Sequence, residues 1–159
     1  AGRLQHEIHQ TKAIRLLEEE VTLNIVRTAD VLMQVLMDVL KPYALSATQY
    51  NVLRILRGAR EAGASCGQIG SRMVTRDPDI TRLMDRLEKR GLLTRDRAKE
   101  DRRVVTHRLT KAGLELVNQM DRPIEALHRK AMRHMKAERL RELIGLLEEV
   151  RSPHQAGGV

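Results

Sequence analysis

The sequence predicts a mainly α-helical chain with one small β-hairpin, and three observations predict it. Apolar residues recur at i, i+3, i+4 and i+7 through several stretches, Ile80, Leu83, Met84 and Leu87 among them; this is the stripe of an amphipathic helix. Helix-start chemistry precedes such stretches, at Ser46, Ser65, Asp77 and Thr110. The segment from Leu93 to Leu109 instead alternates with the period of two that strands require.

In chain order, residues 1–20 are polar and turn helical at their end. Val21 to Leu40 reads as a long helix. Ile25, Ala29, Leu32, Leu36, Val39 and Tyr43 follow a near-heptad, and Val21, Val31 and Val35 add a second apolar stripe. A helix that is apolar on two sides needs two partners, and in so short a chain one of them is expected to be another subunit. Pro42 ends this helix. Ser46 caps the next, which runs through Arg57 with Tyr50, Leu53 and Leu56 inward; residues 58–63 then read as a loop. Ser65 caps a short helix, and Gln68 three residues on completes a capping box. Ile69 and Met73 share its apolar side.

The link Val74–Asp77 is brief, so the next helix must cross the last steeply, as in a helix-turn-helix unit. In that next helix Asp77 reads as the N-cap and Pro78 as the first helical residue. Gly91 ends it, after Lys89 and Arg90, which suit the negative end of the helix dipole. Its face away from the apolar stripe offers Asp79, Arg82 and Arg86, with Thr81 alongside. A helix with one apolar face and one Arg-bearing face suits reading in a major groove. In the hairpin, Leu93 and Arg95 begin one strand. Val105, His107 and Leu109 end the other, with Val104, Thr106 and Arg108 on the alternate face. The tip between them holds Arg97, Lys99, Glu100, Asp101, Arg102 and Arg103. That is the charge of a wing that enters a minor groove or follows the backbone. Thr110 caps a further long helix with a seam of Leu114, Val117, Met120, Ile124, Leu127 and Ala131, which Pro123 is expected to break near Asp121. A basic break at residues 134–136 precedes a last helix with Leu140, Leu143, Ile144, Leu147 and Val150 on one face. Pro153 and the glycines beyond it are expected to end the chain as a frayed terminus.

The fold class is therefore mainly α with a small β-hairpin wing, a winged helix-turn-helix plus N- and C-terminal helices. The runs LSATQYNVLRIL, DITRLMDRLEKRGLL and DRRVVTHRLTKAG, in that order, resemble the MarR family of bacterial winged helix-turn-helix regulators. The resemblance runs roughly from Val21 to Val150. It is most specific in TRLMDRLEKRGLL and in Asp101 and Arg103, followed by Leu109, Thr110 and Gly113. It implies one MarR-like chain over residues 1–159, with a winged helix-turn-helix DNA-binding part at 46–110. The helical parts at 6–42 and 111–151 would be dimerisation helices that intertwine with a second copy's. By the same resemblance Arg76, Asp79, Thr81 and Arg82 face base edges, Arg103 reaches a minor groove, and a small phenolic or lipophilic effector binds between the dimer helices and the reading unit. Tyr43 and Tyr50 are the candidate pocket residues. Many relatives have a small residue where this chain has Asp77, Pro78 and Asp79. Asp79 then either accepts from a cytosine amine or orients Arg82.

Composition agrees with a polyanionic partner. Twenty-nine Lys and Arg against twenty-one Asp and Glu leave a net charge of +8, which suits DNA or an anionic membrane surface. Phe and Trp are absent and Tyr43 and Tyr50 are the only aromatics, so stacking platforms for single strands are lacking and the core must be aliphatic. The one cysteine excludes an internal disulfide and fits a reducing cytoplasm. No run approaches the ~20 apolar residues of a membrane span.

The remaining chemistry is sparse. Arg82 and Arg86 each suit guanine or a phosphate, as do Arg97 and Arg102 at the wing tip; Asp101 would fix the tip's turn beside an Arg. Cys66 stands at a helix start, where the dipole can lower a thiol pKa and make it redox-active; a plain half-buried residue is the simpler reading. His6 and His9 lack zinc-motif spacing and read as surface residues. No P-loop, G-x-G-x-x-G or Ser-His-Asp pattern is legible, so no cofactor, metal or enzymatic activity is expected. Two readings follow: a homodimeric operator-binding repressor released by an effector, or a ligand-insensitive architectural or adaptor DNA-binding protein.

Overall fold

The computed structural model describes residues 3–97 and 105–155, and the chain divides into two compact units, Ala1–Ile124 and Glu125–Val159. The first opens with a single turn, α1 (Leu4–Glu7), and the long α2 (Leu17–Leu40). α2 starts four residues before the expected Val21, because Glu18, Glu19 and Glu20 suit the positive end of a helix dipole and extend it. It ends in a 3-10 turn, Lys41–Tyr43, with Pro42 inside and Ala44 left-handed at φ 51°. Leu40 is its one fully buried residue among those described, while Val21, Val26, Val31, Leu32, Val35 and Met37 stay exposed.

α3 (Ala47–Ala59) is the hub, packed against α2, α4 (Cys66–Arg72), α6 (Lys111–Gln119) and the second strand. Ser46 and Gln49 form its capping box, with Gln49 N–H donating to Ser46 Oγ at 3.1 Å and Ser46 N–H to Gln49 Oε1 at 3.0 Å. With neighbours on several sides it buries Val52 and Ile55 as well as Tyr50, Leu53 and Leu56, more than a one-faced helix would. It also runs through Gly58 and Ala59 and passes into a 3-10 turn, Arg60–Ala62, where a loop was expected.

α5 (Ile80–Lys89) buries Leu83, Met84 and Leu87. Gly91, at φ 68°, closes it: its N–H donates to Glu88 O at 2.8 Å, and Leu92 N–H to Leu87 O at 3.0 Å, the paired bonds of a Schellman ending. β1 (Leu93–Arg97) and β2 (Val105–Leu109) pair antiparallel in the register Leu93 with Leu109 and Arg95 with His107. Ala64 joins β2 as an isolated bridge to His107. Thr110 caps α6, accepting from Gly113 N–H at 3.0 Å and donating to Gly91 O at 2.6 Å. α6 stops at Gln119 and α7 (Asp121–Met132) begins beyond Met120, the break expected from Pro123.

In the second unit α7 ends at Met132 and α8 spans Ala137–Gln155. Leu143, Ile144, Leu146 and Val150 are exposed on α8. Pro153 lies inside this helix rather than ending it. A proline removes the N–H that would reach Glu149 O, and Ser152 Oγ donates to that carbonyl at 3.1 Å instead.

Candidate nucleic-acid interface

Residues 45–110 hold fifteen of the chain's Lys and Arg and eight of its Asp and Glu, so seven of its eight net positive charges fall there. The turn between α4 and α5 is pinned from behind: Val74 N–H donates to Asn51 Oδ1 of α3 at 2.8 Å. α4 itself carries the expected capping box, Gln68 N–H to Ser65 Oγ at 3.3 Å and Ser65 N–H to Gln68 Oε1 at 2.9 Å.

The start of α5 differs from the expectation. Asp79, not Asp77, is the N-cap, accepting from Arg82 N–H at 3.3 Å, and Pro78 lies outside the helix. Asp77 Oδ1 accepts instead from Asp79 N–H at 2.9 Å, a side-chain turn of the kind Asp makes two residues on. Two acids on either side of Pro78 compete for one capping role, and the one beside the apolar run Ile80 to Leu87 takes it. Arg82 Nε lies 3.1 Å from Asp79 Oδ2. Both carboxylate oxygens are therefore engaged within the chain.

Thr81, Arg82 and Arg86 are exposed on α5, as is Arg76 in the turn before it. The helix's other acids, Asp85 and Glu88, are turned aside: Arg95 of β1 bonds Asp85 and stands 3.5 Å from Glu88. This pairing, which no sequence period announces, fastens the root of the hairpin to the reading helix and leaves a basic outer face. Arg108 fastens the other strand, bonding Asp96 and donating to Glu61 O. Arg90, just past α5, donates to Ala44 O at 2.6 Å and Tyr43 O at 3.1 Å. The backbone of Arg97 ends β1; Asp101, Arg102 and Arg103 lie outside the described residues.

Behind the unit, Arg57 of α3 grips Asp121 through both oxygens at 2.9 Å, and Asn118 at 3.0 Å. The bond from Arg57 holds the Asp121 carboxyl below its ordinary range. Tyr50 is buried, with the Arg54 guanidinium 5.8 Å from its ring centre, and burial raises its phenol pKa; Tyr43 is half-buried. A cleft of ≈ 500 Å³ lies between Leu56, Leu109 and Leu114, with Arg57, Arg60 and Arg108 also lining it; neither tyrosine is in its wall. Cys66 is half-buried at the start of α4, as the simpler reading has it, and burial pushes its thiol up, outweighing the nearby Arg95. Among the described residues no cluster of His, Cys, Asp or Glu is placed to hold a metal ion, and no helix is long and apolar enough to cross a membrane.

Comparison with known proteins matches this arrangement. The model of the MarR family fits residues 45–105, the span from just before α3 to the first residue of β2. The homoprotocatechuate degradative operon repressor of Escherichia coli is 26% identical over 133 residues, 84% of this chain and 88% of the repressor. A mutant MarR from E. coli, solved in complex with operator DNA, superposes with a TM-score of 0.75 at 25% identity, covering 86% of this chain and 99% of that one. A MarR transcription factor from Planctomyces limnophilus is 40% identical, with a TM-score of 0.66, and the match covers 86% of this chain and 98% of that structure. With that identity sustained over nearly the whole of a solved relative, the chain belongs to the MarR family.

Proposed function

We propose that the chain acts as a homodimeric transcriptional repressor that binds a pseudo-palindromic operator in double-stranded DNA. The observation that carries this reading is the outer face of α5, where Thr81, Arg82 and Arg86 are exposed while Asp85 and Glu88 are drawn off by Arg95. Two such helices, one per subunit, enter successive major grooves about 34 Å apart. Arg82 and Arg86 bond guanine edges or phosphates, Arg76 and Thr81 contact the flanking positions, and Asp79 holds Arg82 in register. Arg97, Arg102 and Arg103 of the wing follow the neighbouring minor groove, with Asp101 fixing its turn. The repressor named among the relatives and the relative solved on operator DNA support this reading.

Residues 46–110 form the DNA-binding part and residues 6–42 and 111–151 the dimerisation part. A small phenolic or lipophilic effector, sitting near Tyr43 and Tyr50, releases the operator by favouring a spacing of the reading helices that does not fit DNA. The protein works in the cytoplasm by binding rather than by catalysis, with no cofactor.

The test is a gel-shift titration on the DNA upstream of its own gene, against random duplex of equal length. Wild type is expected to prefer the upstream fragment, with a steep loss of affinity in salt. Arg82→Ala and Arg103→Ala are each expected to weaken operator binding by about 1–3 kcal/mol without unfolding the chain. Equal affinity of wild type and both variants defeats the proposal.

A further inference from the structure

A groove of ≈ 640 Å³ runs along α3 beside the Arg60 turn and the end of α4, lined by Asn51, Arg54, Gly58, Arg60, Arg72 and Val74 among others. It lies outside the face of α5. Its wall is unusual in two ways. First, among the described residues no carboxylate lies within ion-pair distance of Arg54, Arg60 or Arg72, whereas most other arginines of this unit's hub and hairpin are paired. Asp121, whose charge acts on Arg54, is gripped at both oxygens by Arg57.

Second, Arg60 has φ 52° and ψ −138°, backbone that glycine adopts freely and other residues adopt only under strain. Arg54 is further held by the Tyr50 ring. A strained backbone thus accompanies three guanidinium groups gathered on one groove, and the carboxylate whose charge reaches Arg54 is already held by Arg57. Like charges gathered so repel one another, and an anion between them removes the repulsion.

We propose that Arg54, Arg60 and Arg72 form an oxyanion site for phosphate groups, separate from the reading helix. The phosphate comes from one of two sources. One is the backbone of DNA bound at α5, since Val74 in the groove wall is two residues from Arg76; this source alone rests on the function proposed above. The other is a free phosphorylated small molecule.

Two measurements on the full chain separate them, using wild type, Arg60→Gly and Arg72→Gln. The first is the thermal midpoint in inorganic pyrophosphate against sodium chloride at matched ionic strength. The second is the salt dependence of operator affinity. A free-phosphate site gives wild type a saturable rise in midpoint that both variants lose, with the DNA salt slope unchanged. A backbone site gives no pyrophosphate rise, and each substitution lowers the log–log salt slope by about one. Glycine takes the Arg60 backbone without strain, so Arg60→Gly is expected to melt no lower than wild type, and its losses are not those of unfolding. If the pyrophosphate response and the salt slope are the same in all three proteins, the site does not exist. If wild type shows no preference for any operator, the repressor reading fails while the pyrophosphate arm still decides this one.

Discussion

Single side chains carry two separable roles in this molecule. Asp79 caps α5 and also holds Arg82. Asp79→Asn keeps an oxygen for the cap but discards the charge. Its expected result is tighter binding to random duplex and a smaller preference for the operator, measured as the ratio of the two affinities in competition. An unchanged ratio shows that Arg82 needs no partner to choose its base. His107 acts on stability instead. It is buried in the cross-strand pair with Arg95, and neither imidazole nitrogen has a hydrogen-bond partner among the described residues. Burial, aided by Arg95 and opposed by the neighbouring Ala64 backbone and by Glu88 and Asp85, holds its pKa below the ordinary 6.5. The unfolded chain therefore takes up the proton first, and stability is lost as pH falls from about 6.5 toward the lower folded value. The thermal midpoint of wild type is expected to decline across that window, and His107→Gln to flatten the decline. A parallel decline in both would place the cause elsewhere.

At the scale of elements, the chain passes closely between the end of the reading helix and the start of α6. Gly113 passes so close to the end of α5 that a Cβ would lie 2.0 Å from Leu92 O. Thr110 ties the same strands of backbone through Gly91 O and Leu92 O. Gly113→Ala must push these segments apart and is expected to cost at least about 2 kcal/mol, a fall in midpoint of roughly 4–8 °C for a chain this size; an unaltered melting curve contradicts the packing described. This joint also shows what was legible beforehand. Thr110, Ser46 with Gln49, Ser65 with Gln68, and Gly91 act within a few residues of themselves, so their chemistry could be read directly from spacing. Arg95 with Asp85 and Glu88, Arg57 with Asp121, and Arg90 with Ala44 join separate elements, and no local period signals them. The start of α5 failed for a different reason: Asp77 and Asp79 offer the same functional group two residues apart, and only the folded turn decides between them.

For the whole molecule the question is what covers α2. Leu40 is fully buried, yet Val21, Val26, Val31, Leu32, Val35 and Met37 are exposed over a helix of twenty-four residues. Each is 36–62% exposed and would gain a part of the roughly 1.5–3 kcal/mol that burying a wholly exposed aliphatic side chain contributes, so a second copy is a better neighbour than water. The two apolar stripes of α2 had already called for more than one partner. Val31→Glu places a charge in the middle of the stripe. It is exposed in the single chain, so helix content by circular dichroism is expected to stay as in wild type. In a paired interface the same carboxylate would be buried without a partner, at a cost of several kcal/mol. Sedimentation is therefore expected to show a dimer for wild type and a monomer for the variant. Operator affinity should then fall by a hundredfold or more, since linking two half-site contacts raises avidity by about 10²–10⁴, while binding to an isolated half-site stays unchanged. A variant that remains dimeric would place the interface on other surfaces, and one that becomes monomeric yet binds the full operator as wild type does would show that a single α5 and its wing suffice.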